Sequence, residues 1–137
     1  MRPILMLLVA SAAFPALAAA PAKFSITLDP GNEVPGPGAR GGSGSAQLTF
    51  EPDKGQVCYT LTSKGTDTPT MAHIHKAIDG VDGPVVVPLT APANGTSKGC
   101  AAVKPDLMTA ILANPAQYYV NVHTAAFPRG AMRGQLK

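Results

Sequence analysis

The sequence predicts an all-β fold, an antiparallel Greek-key β-sandwich or flattened barrel of about eight strands with one short helix. Three observations carry this. Glycine and proline, 14 of each, punctuate the chain at short intervals. Between them lie short runs that alternate apolar and polar residues with period two. A single segment breaks that period and shows helical spacing instead.

The first strand is FSITL, Phe24 to Leu28, with Phe24, Ile26 and Leu28 on one face and Ser25 and Thr27 on the other. The glycine- and proline-rich stretch Pro30 to Ala46 has the composition of a linker, but only one strand precedes it. It is expected to be a long loop joining the first two strands. Its glycines match no phosphate-binding pattern, because no lysine and hydroxyl pair follows at the required spacing. SAQLTF (Ser45 to Phe50) and QVCYTLT (Gln56 to Thr62) read as a hairpin across EPDKG, where Pro52, Asp53 and Gly55 supply turn chemistry. MAHIH (Met71 to His75), VVVPL (Val85 to Leu89), KGCAAV (Lys98 to Val103), YYVNVH (Tyr118 to His123) and MRGQL (Met132 to Leu136) complete the set. Pro88 has no N–H to give to a ladder, which places VVVPL at an edge or a bulge. In KPDLMTAILANP, Leu107, Ile111 and Leu112 share a helical face, Pro105 and Asp106 stand where a first turn tolerates them, and Pro115 ends the segment. A helix from Asp106 to Ala113, crossing between strands, follows.

Residues 1–20 read as a signal peptide: Arg2, an apolar run from Ile4 to Ala10, then Ala16 and Ala18 at signal-peptidase spacing, with a cut between 18 and 22. The run is too short for a membrane span, which needs about 20 apolar residues. One domain, residues 23–137, is then expected in the periplasm or outside the cell. Removing Arg2 lowers the formal charge from +3 to +2, and the lysines and arginines are scattered, so nucleic acid is not an expected partner. Export would put Cys58 and Cys100 where disulfides persist, and they are expected to pair; the alternative is two separate buried thiols. Alternation sets Cys58 on the face opposite Val57, Tyr59 and Leu61, away from the deep core.

All three histidines fall on the polar side of predicted strands. Met71, His73 and His75 share one face of their strand with Ala72 and Ile74 on the other, and Tyr119, Asn121 and His123 lie opposite Val120 and Val122. Imidazoles at i and i+2 lie about 6 to 7 Å apart at the backbone, and a third from a neighbouring strand would complete a set for one ion. Neutral imidazole suits copper and zinc, and the Met71 thioether would favour Cu(I). With an unperturbed pKa of about 6.5, the ligands should lose metal below about pH 6. Asp79 and Asp82, in two Asp-Gly turns, read as turn formers before cation ligands or outer partners. Arg133 shares a face with Gln135; it reads as a solvated arginine on a terminal strand, the alternative being one that steers anions to a metal. No serine stands in a recognisable nucleophile setting.

The phrases AHIHKAIDGVDGPVVVPL and YYVNVHTAAFPRGAMRGQL, with FSITLDPGNEVP at the start, resemble the CHRD domain, a module named after chordin and also found alone in exported bacterial proteins. Asp82 stands where many members carry Asn, which keeps the turn. The resemblance implies an all-β domain and maps the recurrent histidines of the family onto His73, His75 and His123. It supplies no established activity; in chordin it implies a protein-interaction role. A His-x-His strand in a disulfide-bridged exported sandwich also resembles Cu,Zn superoxide dismutase at the level of fold, without the fourth, bridging histidine. Two classes of function follow: an exported domain holding a transition metal, copper before zinc, through three histidines, with a copper-dependent dismutase-like enzyme as its further extension; or a non-catalytic interaction or adhesion module whose partner is another protein.

Overall fold

All eight predicted runs form strands: β1 (Ala22–Leu28), β2 (Ser43–Glu51), β3 (Gln56–Lys64), β4 (Pro69–Lys76), β5 (Val85–Leu89), β6 (Thr96–Ala102), β7 (Tyr118–Thr124) and β8 (Met132–Gln135), with α1 (Pro105–Ala113) between β6 and β7. The computed structural model describes residues 11–137. The apolar run Ile4 to Ala10, on which the signal-peptide expectation rests, lies outside the described residues. In the segment before β1, Phe14 and Leu17 are almost fully exposed and add nothing to the core.

The strands make two four-stranded antiparallel sheets, ordered β1-β2-β3-β6 and β5-β4-β7-β8. The sheets face each other as a sandwich and do not close into a barrel. After β3 the chain crosses to the second sheet for β4 and β5 and returns as β6 beside β3, a Greek-key path. Alternation explains which faces meet: Ile26, Leu28, Leu48, Phe50, Val57 and Leu61 from the first sheet pack against Ile74, Val87, Val120, Val122 and Met132 from the second. Each such side chain, fully buried, contributes roughly 1.5 to 3 kcal/mol of transfer free energy.

At one edge the sheets touch. Asp29 and Arg133 exchange backbone hydrogen bonds of 3.0 and 3.2 Å, and a Cβ on Gly134 would collide with the Thr27 carbonyl oxygen. Only glycine lets β8 approach β1 so closely. At the other edge, β5 pairs with β4 alone, and the ladder slips between Ile74 and His75. The proline-bearing strand is thus both an edge strand and next to a bulge. In α1 the most buried residues are Met108 and Ile111, with Leu107 and Leu112 only half-buried, so the packed stripe is turned from the one predicted.

Cys58 and Cys100 sit opposite each other on β3 and β6 and are joined, with an S–S distance of 2.07 Å. The bridge lies on the outer face of the first sheet, as alternation implied. Bonds of this kind persist in oxidising compartments. Among the described residues, no helix is long and apolar enough to cross a membrane.

Candidate metal centre

The histidines are arranged by strand register. Across β4 and β7, Met71 stands opposite His123, His73 opposite Asn121, and His75 opposite Tyr119; across β7 and β8, Tyr119 stands opposite Gln135 and Asn121 opposite Arg133. Residues directly opposite on antiparallel strands share a face. The second sheet therefore carries a polar face turned away from the core, with His73 central and His75 and His123 on either side.

Most of that face is shut off from solvent. Every residue of β7 is buried, on both faces, and Arg133 is only 1% exposed. The reading of Arg133 as a solvated arginine is thereby corrected: loops fold over the sheet and enclose it. Its guanidinium donates to the carbonyl oxygens of Val81 (2.9 Å) and Ile78 (3.3 Å) and to Gln135 Oε1 (3.0 Å), and lies 3.5 Å over the Tyr119 ring. Burying an ion costs several kcal/mol unless its donors are met. These contacts supply partners for the two terminal nitrogens, though not for Nε, and they fasten the connection between β4 and β5 down onto the sheet. Arg133 is therefore a structural clamp.

One ring nitrogen from each of His73, His75 and His123 lies within 4.8 Å of the other two, so the group could hold a metal ion. Ring centroids are 4.9 Å apart for His73 and His123, 5.4 Å for His73 and His75, and 6.0 Å for His75 and His123. Four-coordinate nitrogens at about 2.0 Å from zinc lie roughly 3.3 Å from each other, so side-chain adjustment of about an ångström would close the set. Tautomers follow from partners. His75 Nδ1 is 2.8 Å from the Gly83 carbonyl oxygen, and His123 Nδ1 is 3.0 Å from that of Pro128. A carbonyl oxygen only accepts, so both Nδ1 atoms carry protons and both Nε2 lone pairs are bare. This is the outer support that metal-bound imidazoles have in general. His123 Nε2 then accepts from His73 Nδ1 at 3.0 Å, while His75 Nε2 is buried with no hydrogen-bond partner.

Resistance to protonation favours ligation as well. Burial, then the neighbouring His123 and His75, push His73 down to about 4. Burial also lowers His123, against the Pro128 carbonyl, which raises it. At His73, proton competition sets in nearer pH 4 than the pH 6 expected of unperturbed imidazole.

Tyr119 and Asp82, placed by the sequence reading only on the polar face and in a turn, hold the site. Tyr119 stacks on His75, centroids 4.7 Å apart and planes 6° apart. Its hydroxyl accepts from Gly83 N–H at 3.2 Å and donates to Asp82 Oδ1 at 3.1 Å. Asp82 also receives Arg129 at 3.2 Å on the rim. Asp82 therefore does more than form a turn: it positions the tyrosine that positions His75. Asp79 is exposed and lies by a separate surface cleft with Ser25 and Lys137. Met71 is 46% exposed, beside His123 in register.

Glu33, from the loop between β1 and β2, is 5% exposed, and a Cβ on Gly130 would collide with its carboxylate. Burial raises it to about 7, opposed first by Arg133. The one signal for it was a lone acid in a glycine- and proline-rich loop. Among the described residues, the buried side-chain polar atoms without a hydrogen-bond partner are Glu33 Oε1, His75 Nε2, Asn121 Oδ1 and Arg133 Nε. All belong to this face or to the loop over it, a concentration of unmet polar groups that core packing does not require.

The sequence profile of the CHRD domain matches residues 24–136. No curated protein and no solved structure matches the chain.

Proposed function

The chain belongs to the CHRD domain family, and on that premise we propose that it is an exported domain that binds one transition-metal ion, copper before zinc, through His73, His75 and His123. The observation that supports this most is the pair of anchored imidazoles: His75 and His123 each spend Nδ1–H on a backbone carbonyl, which leaves Nε2 unprotonated, in a group whose ligand nitrogens, one from each histidine, lie within 4.8 Å of one another. An outward hydrogen-bonding histidine has no need of that arrangement. The disulfide fits a periplasmic or secreted location.

Protein purified from the periplasm without an affinity tag should contain close to one equivalent of copper or zinc by elemental analysis. In calorimetric titrations of metal-free protein, His123→Ala should weaken binding by more than the roughly 10- to 100-fold that loss of an outer partner costs, whereas Asp79→Ala should bind like wild type. Equal binding by wild type and His123→Ala would remove the site. A second reading, an interaction module without metal, is favoured by the exposed Ile78, Val81 and Val85 around the β4–β5 connection, and it takes over in that event. Superoxide consumption by the copper-loaded protein separates an enzyme from a binder.

A further inference from the structure

We infer that Met71 is a fourth ligand of this centre and that its thioether selects Cu(I). The inference rests on the three-histidine reading and adds the oxidation state of the ion held. Met71 stands directly opposite His123, a position in which Cβ atoms are about 4.5 to 5.5 Å apart. It also lies two residues from His73 on the same face of β4. The two nitrogens already 3.0 Å apart, His73 Nδ1 and His123 Nε2, therefore belong to the two residues that flank Met71.

The rest of the face is closed. Tyr119, Asn121 and Arg133 are 0, 1 and 1% exposed, and Tyr119 and Arg133 are tied to the β4–β5 connection. His73 is half-buried and Met71 is 46% exposed, so the open side of the cluster is the side that carries the sulfur. Methionine is unbranched, with rotatable bonds that let sulfur reach sideways, and here it fills no core. A thioether is a soft ligand that binds Cu(I) and adds little for Zn(II).

Met71→Leu tests this, because it keeps volume and apolarity at an exposed position and removes only the sulfur. Cu(I) affinity is measured anaerobically by competition with bathocuproine disulfonate, Zn(II) affinity by calorimetry, and sulfur ligation by X-ray absorption at the copper edge. We expect Met71→Leu to lose about tenfold or more in Cu(I) affinity with Zn(II) unchanged within about twofold, and to lose a sulfur scatterer that wild type shows. The Cu(II)/Cu(I) potential should fall by about 59 mV for each tenfold loss confined to Cu(I). Unchanged Cu(I) affinity with no sulfur scatterer in wild type overturns the proposal, while Zn(II) binding by both proteins leaves the three-histidine site standing. Equal losses for Cu(I) and Zn(II) overturn the selectivity, and wild type that binds neither ion overturns both readings.

Discussion

Glu33, which is buried, and His73, which is half-buried, titrate with opposite effects on the fold. His73 is held at about 4 against an ordinary 6.5, so between those values the unfolded chain binds more protons and stability is lost as pH falls. Glu33 is held at about 7 against 4.5, so there the folded chain binds more protons, and stability present below 4.5 is lost as pH rises toward 7. Where the windows overlap, the two slopes cancel in part. Glu33→Gln keeps the shape of the side chain and removes one of them. In the metal-free protein, the stability of Glu33→Gln relative to wild type should therefore grow as pH rises from 4.5 to 7 and level off above. Thermal denaturation of both proteins between about pH 4 and 8 checks this, and a pH-independent difference would contradict it. Beyond a lone acid in its loop, PGNEVP carried no sign of this role: period-two reading assigns faces to strands, and Glu33 lies in a loop whose partners, Gly130 and Arg133, are about 100 residues further on.

Among the elements, β3 and β6 show what the disulfide does. Cys58 is half-buried and Cys100 exposed on the outer face, so replacing both with alanine removes little packing. The bridge closes a sequence separation of 42 residues, and its effect falls mainly on the unfolded chain. Cys58→Ala with Cys100→Ala should cost roughly 3 to 4 kcal/mol in the chain-entropy account, measured by urea denaturation; a loss under about 1 kcal/mol would refute that account. Strand reading succeeded here because it rests on local rules. Alternation put Cys58 on the outer face, and Pro88, having no N–H, put β5 at an edge or a bulge. Helix reading placed α1 but not its stripe. Leu107, Met108, Ile111 and Leu112 spread apolar surface around much of the helix, and only the closing of the sandwich decides that Met108 and Ile111 face inward.

At the scale of the whole molecule, the sequence assigned three histidines to polar faces and could not say that the face would be covered. The cover is long-range. Arg133 reaches Val81 and Ile78 across 52 and 55 positions, and Asn32 reaches Arg133 across 101; no local pattern encodes such contacts. Their effect is to make the candidate site the meeting point of β4, β7, the β4–β5 connection and the segment carrying Pro128. An ion there would add a cross-link between β4 and β7 to the strand ladder that already pairs them. Unfolding would scatter the three imidazoles, so metal should bind the folded state in preference and stabilise it by mass action. At a free concentration 100 times Kd the gain is about 2.7 kcal/mol, which for a domain of this size corresponds to a rise in Tm of about 10 °C. Thermal scans of metal-free protein with added Cu(II) or Zn(II) should show that rise, increasing with the logarithm of metal concentration. His73→Ala should abolish it while changing the metal-free Tm far less, because His73 is only half-buried and is not a core residue. A rise of equal size in His73→Ala would place the stabilising ion elsewhere on the protein.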